Sequence, residues 1–192
     1  MKKTIFWLVL GLAAGLILTV GLALARTHTL NGSVLDPPQP AAQIALEDFR
    51  LSDQKGKVVL VFFGYTYCPD VCPATLGTMK RVLERVGNQA DQVEVVFVTV
   101  DPQRDTPEKM DAYTSAFDPR ITGLSGTEAE LEQVWQAYWV YHEVQPAGSS
   151  GAYLVDNSSQ VFLIDPQGNL RTTYAFGTPA EDIAADVRFL LK

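Results

Sequence analysis

Cysteine is scarce in this 192-residue chain, which holds only Cys68 and Cys72. Two thiols four apart are too few for a stapled mini-protein. They are also too local to stabilise a fold by closing a large loop, so their role is chemical rather than structural. Histidine is equally scarce, with only His28 and His142. Basic charge is short as well: 15 Lys and Arg stand against 22 Asp and Glu, for a formal net charge of −7. Lys2 and Lys3 precede any acid, so the chain beyond residue 25 carries 13 basic and 22 acidic residues, a balance of −9. No Lys/Arg cluster survives there. Such a surface repels phosphate backbones and argues against nucleic acid as a partner. No low-complexity tract and no repeat at a solenoid period occurs. The length suits one domain with extras.

What the sequence does have begins with an uncharged stretch from Thr4 to Ala25, filled almost entirely by Leu, Val, Ile, Ala, Gly, Phe and Trp. At a rise of about 1.5 Å per residue it spans about 33 Å, enough for a bilayer core. Lys2-Lys3 ahead of it favours an N-terminus kept in the cytoplasm. Residues 1–25 are therefore expected to be a membrane anchor or signal segment, with residues 4–25 in the bilayer. The expectation is a single pass through the inner (cytoplasmic) membrane, with the following domain facing the periplasm or cell exterior. Ala23-Leu24-Ala25 followed by Arg26 also fits a cleaved signal peptide; either way the domain is exported. Residues 26–43, with Gly32, Pro37, Pro38 and Pro40, suit an extended tether.

From residue 44 the pattern is α/β. Lys57–Phe63 is an apolar run between Gly56 and Gly64, as in a strand buried on both faces. After Cys72, residues Leu76, Met79, Val82, Leu83 and Val86 recur at helical spacing, and Pro73 fits a first turn. Val93–Val100 is a second buried strand, which makes a βαβ crossover. Thr106-Pro107-Glu108 opens another helix, to about Phe117. Ile121–Leu124 is a short strand, and Thr127 to about Val140 a helix. Gln160–Ile164 and Leu170–Tyr174 flank Asp165-Pro166-Gln167-Gly168, a hairpin turn. Thr178-Pro179-Ala180-Glu181 is expected to cap a last helix. The sum is a thioredoxin-like fold, a mixed sheet with helices on both faces.

The cysteine pair falls where the first buried strand ends and a helix begins. A helix N-terminus lowers a thiol pKa, and thiolate is both the nucleophile and the metal-binding form. Residues four apart share a helical face. Two such sulfurs can close a Cys68–Cys72 disulfide or grip one soft ion. Two thiolates select Cu(I) or Zn(II); a zinc site wants four ligands, and no second pair exists.

The run Phe63-Gly64-Tyr65-Thr66-Tyr67-Cys68-Pro69-Asp70-Val71-Cys72-Pro73 resembles the signature of the Sco/SenC copper chaperones. Further similarity lies in Val100–Pro107, Gly123-Leu124-Ser125-Gly126 and Phe162–Gly168, so the resemblance covers about residues 44–192. It implies a thioredoxin-like domain that assembles the copper centre of cytochrome c oxidase. The implied partners are the oxidase's copper-bearing subunit or another copper chaperone. It also implies copper held by Cys68, Cys72 and a distal histidine.

The chain departs from that pattern at the histidine: Val155-Asp156-Asn157-Ser158-Ser159 places Asn157 there, and an amide is a poor copper ligand. Only His28, in the tether, and His142 remain, and Asp70 between the cysteines is an oxygen donor at most. Upstream, Leu46–Asp53 is shorter than the family's hairpin. The first reading is a Cu(I)-biased metallochaperone without catalytic turnover. The alternative is a thiol–disulfide oxidoreductase that keeps partner cysteines reduced; a peroxidase-like enzyme has little support. Asp101, Arg104 and Asp105 suit a loop network after the second strand, or an ion pair near the site or at a partner surface. Tyr65 and Tyr67 suit packing beside the strand, shielding of the metal or contact with the partner. Trp135, Tyr138, Trp139 and Tyr141 are expected in the core.

Overall fold

The computed structural model describes residues 28–146 and 153–192. The expected membrane segment, residues 4–25, lies outside the described residues. No helix among the described residues is long and apolar enough to cross a membrane.

In chain order, strand β1 (Ser33–Pro40) leads into a miniature hairpin of β2 (Ala45–Leu46) and β3 (Phe49–Arg50), then a 3₁₀ turn at Leu51–Gln54. Next come β4 (Val58–Gly64), helix α1 (Val71–Val86), β5 (Val93–Thr99), α2 (Pro107–Phe117) and β6 (Ile121–Leu124). Helix α3 (Glu128–Ala137) precedes a second hairpin, β7 (His142–Gln145) and β8 (Leu154–Asn157). The chain ends with β9 (Val161–Ile164), β10 (Asn169–Tyr174) and α4 (Ala180–Leu190).

Six strands form one mixed sheet in the order β1-β10-β9-β4-β5-β6. Strands β4, β5 and β6 are parallel, with Val58 opposite Val93 and Gly64 opposite Thr99. Strands β9, β10 and β1 add on antiparallel. This is the thioredoxin-like α/β arrangement that the pattern predicted.

Strand β4 is buried along its whole length because both of its faces are covered. Successive side chains point to opposite faces, and the aromatic contacts show what covers each. Phe62 stacks on Phe97 (5.6 Å between centroids), which meets Tyr113 of α2. Phe63 packs against Phe162 and Tyr138, just past α3. Helices α1 and α2 therefore sit on one face and α3 on the other. Helix starts obey local chemistry: Thr106 Oγ1 accepts from the Lys109 N–H, and Thr127 with Glu130 forms a capping box. Helix α4 does not follow the expected capping. Its N-cap is Pro179 with no side-chain cap, and Thr178 Oγ1 instead donates to the Ala175 carbonyl.

Two expectations change here. The spacer expected over residues 26–43 is sheet over Ser33–Pro40. The prolines are tolerated because β1 is an edge strand, where missing N–H groups break no ladder. Its register also slips between Val34 and Gln39, so only the strand's ends pair. The aromatic cluster after α3 divides. Trp135 and Tyr138 are buried, but Trp139 is 71% and Tyr141 56% exposed. The helix stops at Ala137 and the chain turns left-handed at Trp139 (φ 51°), so the helical stripe does not continue.

Candidate thiol site

Strand β4 delivers the chain to Gly64, and a short loop then leads into α1. Cys72 lies in the first turn of α1 and is fully buried, while Cys68 is half-buried in the loop. Both are free thiols in this structure. The Cys72 backbone N–H donates to Cys68 Sγ at 3.3 Å. Gly64 makes room for the pair: a Cβ there would lie 2.7 Å from Cys72 Sγ and 2.8 Å from a Phe97 ring carbon.

The two sulfurs differ in charge. The Cys68 pKa is lowered to about 6, first because the Cys72 thiol donates to it. Burial opposes the shift, while the backbone N–H groups of Cys72, Asp70 and Val71 at the helix mouth support it. Cys72 is driven the other way, well above the ordinary thiol range. Its proton is held by Cys68, burial penalises its anion, and the Cys68 charge repels a second one. At neutral pH the pair is one thiolate and one thiol sharing a proton.

The loop is held from behind by Asp105. Its fully buried carboxylate accepts from Thr66 N (3.0 Å), Thr66 Oγ1 (2.5 Å) and Thr99 Oγ1 (2.8 Å). Asp101 pairs with Arg104 Nε and accepts from Tyr153 Oη at 2.8 Å. The Arg104 guanidinium stands over the rings of Tyr153 (3.5 Å to the centroid), Tyr67 (4.7 Å) and Tyr65 (5.7 Å). The loop network expected after the second buried strand is present, and it reaches the thiol loop. Tyr65 is buried and its Oη accepts from Val155 N at 3.2 Å, while Tyr67 is exposed.

Cys68 opens into a cleft of about 240 Å³. One wall is Tyr65 with Pro69, Asp70 and Val71; the other is β8 with Ser159. This is smaller than the roughly 300–1,000 Å³ of small-molecule pockets and suits an ion or one side chain. Asp70 is exposed on the rim and makes no capping bond to α1. Asn157 stands in the cleft wall, and its amide donates to the Phe63 carbonyl (2.9 Å) and the Ser158 carbonyl (3.1 Å). It therefore ties β8 to the end of β4.

The two histidines part company. His28 Nε2 lies 2.6 Å from Asp186 Oδ1 and its ring stacks on Phe189, so it belongs to α4 rather than to the thiols. His142 is the cross-strand partner of Asn157, with its ring against Trp135 at 4.2 Å between centroids. Among the described residues, no three His, Cys, Asp or Glu side chains converge to hold a metal ion. The β7–β8 hairpin, whose β8 strand forms one wall of the cleft, was missed from sequence. Its signal was short: the alternation in His142-Glu143-Val144-Gln145 and the β-branched Val155 across a Gly/Ser-rich connection.

Comparison with known proteins places this geometry. Residues 45–192 match the SCO1/SenC family model. The bovine mitochondrial SCO2 homologue is 35% identical over 159 residues, covering 77% of this chain and 60% of that protein. The chain thus spans about 60% of the length of the curated relatives first matched. Apo Sco1 from Thermus thermophilus is 38% identical with a TM-score of 0.77, over 86% of this chain and 99% of that one. Copper-bound ScoI from Bradyrhizobium japonicum is 38% identical with a TM-score of 0.69, over 80% and 97%.

Proposed function

This chain belongs to the SCO1/SenC family, and from that premise we propose that it is a membrane-anchored assembly factor whose cargo is copper, carried as Cu(I) on Cys68 and Cys72. The observation that carries this reading is the asymmetric pair at the α1 N-terminus. Cys68 is already thiolate and opens into the cleft, while Cys72 lies buried beside it, one proton away. Two thiolates are soft donors that favour Cu(I) over hard divalent ions. Loading removes the shared proton, so the site exchanges a proton for the metal. A copper-bound relative at 38% identity supports the same cargo.

The reading extends to the rest of the chain. Residues 1–25 anchor the protein in the inner membrane, and the domain, whose sheet already begins at β1, carries the site on the periplasmic or outer side. The recipient is the copper-bearing subunit of cytochrome c oxidase or a second copper chaperone. The role has no catalytic turnover. An anaerobic Cu(I) competition titration tests it. Binding far tighter than in a Cys68→Ser/Cys72→Ser double variant is expected, and equal binding overturns it.

One observation favours a second reading. A thiolate at about pKa 6 beside a protonated thiol is also the layout of a disulfide reductant. Cys68 would attack a partner disulfide, expelling one partner sulfur as thiolate. Cys72 would then displace the other, leaving a Cys68–Cys72 disulfide and two electrons on the partner. A Cys68–Cys72 potential too positive to reduce the recipient's cysteines would exclude this role.

A further inference from the structure

The thiol cleft is lined by one sulfur, Cys68, with Cys72 buried beside it, and its opposite wall offers none. Asn157 is the wall residue nearest to that task, but both amide protons are spent on the Phe63 and Ser158 carbonyls. Its remaining donor is a hard carbonyl oxygen, a poor match for a soft ion. Asp70 and Asp156, also at the cleft, offer hard oxygens too.

Directly across the hairpin from Asn157 stands His142. The Ser158 N–H donates to the Tyr141 carbonyl at 3.0 Å, which brackets the His142–Asn157 pair and fixes its register. Opposed residues of an antiparallel pair point to one face, with Cβ atoms about 4.5–5.5 Å apart. His142 therefore shares a face with a residue that lines the cleft. Its ring rests half-buried on Trp135, and neither ring nitrogen has a hydrogen-bond partner among the described residues. The other histidine is committed elsewhere, to the buried Asp186. One unspent imidazole thus lies a single cross-strand step from Asn157 in the wall that faces Cys68.

We propose that His142 is the third ligand of the loaded site, leaving Trp135 to bring its imidazole over Asn157 onto an ion held by Cys68 and Cys72. This rests on the cargo reading above. The empty-handed geometry, with the ring parked on an aromatic face, is then the unloaded position of the ligand. Two thiolates and an imidazole form a donor set suited to copper in both oxidation states.

X-ray absorption of the Cu(I)-loaded protein tests it, beside His142→Ala, His28→Ala, His142→Ala/Asn157→His and Cys68→Ser/Cys72→Ser. Expected are two sulfurs and one imidazole in the native protein and in His28→Ala. His142→Ala should show sulfur only, with affinity lower by about 10–100-fold, the range seen when even an outer-sphere partner is lost. The double variant His142→Ala/Asn157→His should regain the imidazole, from the other strand of the same pair. A His142→Ala spectrum identical to native overturns the proposal while leaving the two-thiolate cargo site standing. Loss of binding in His142→Ala without rescue by Asn157→His marks a damaged fold and overturns it as well. Native binding no tighter than in the double cysteine variant overturns both readings.

Discussion

Gly64 and Cys72 are in contact across the sheet–helix boundary: a side chain at 64 would enter the space of the Cys72 sulfur, 2.7 Å away. The strand that positions the site must therefore end in glycine for the second thiol to lie buried beneath the first. Gly64→Ala should displace Cys72 from Cys68 or strain the core, at a cost of about 1–3 kcal/mol typical of overpacking. Urea unfolding reads the stability, and Cys68 alkylation reads the pair. A variant with native stability and native Cys68 reactivity would show that this contact does not constrain the site.

The Cys68–Cys72 proton sharing has a pH signature. The Cys68 pKa is lowered, so its thiolate persists above about pH 6 and is lost as pH falls through that value. Iodoacetamide modification of Cys68 should rise from pH 5 to 7 and then level off, with its midpoint near 6. Removing the donor with Cys72→Ala should move the midpoint up toward the ordinary thiol value, leaving Cys68 sluggish at pH 7. A midpoint unmoved by Cys72→Ala would assign the shift to the helix mouth alone.

Asp105 is a positioning residue for the thiol loop. Asp105→Ala leaves the Thr66 N–H, the Thr66 hydroxyl and the Thr99 hydroxyl without their acceptor. Each buried donor left unsatisfied costs about 1–3 kcal/mol. Chemical denaturation should show a loss in that range or above. Because the loop carries Cys68, Cu(I) affinity should fall with it. An unchanged affinity alongside reduced stability would confine Asp105 to the scaffold.

Asp186 provides the contrast. It is fully buried and accepts from the Asn31 N–H (2.8 Å), Asn31 Nδ2 (2.8 Å) and Tyr174 Oη (2.8 Å), with His28 at 2.6 Å. Asp186→Ala should destabilise the domain by about 1–3 kcal/mol per stranded donor. Copper affinity and Cys68 reactivity should stay native, because this cluster lies at α4 and not at the cleft. A matching fall in copper affinity would show that the α4 cluster and the thiol site are coupled.

Much of the fold was legible because its signals are local. The largely apolar runs at residues 57–63 and 93–100, short and rich in β-branched residues, read as strands covered on both faces. The Leu76–Val86 stripe has one helical period, and Asp165–Gly168 is a turn by its own backbone preferences. What failed were the segments whose structure is set by their neighbours. Strand β1 is proline-bearing and pairs only at its ends, so its strand character comes from β10 and not from its own residues. Trp139 and Tyr141 were expected in the core beside Trp135 and Tyr138, but the helix ends at Ala137 and the chain turns left-handed at Trp139. The β7–β8 pairing depends on register between two weak segments, which no local pattern specifies.

The same division runs through the site. By itself the sequence determined the thiol pair, its place between a buried strand and a helix N-terminus, and the absence of an imidazole at position 157. Those follow from spacing and from the backbone dipoles of one helix end. Tertiary structure alone decided which thiol holds the proton, that Gly64 must be bare, and that Asp105 holds the loop from behind. It also decided the histidines: His28 is drawn to a buried carboxylate at α4, while His142 is brought opposite Asn157. Burial, proton sharing and cross-strand register all depend on which distant residues meet, and contacts of that kind are set only when the chain closes on itself.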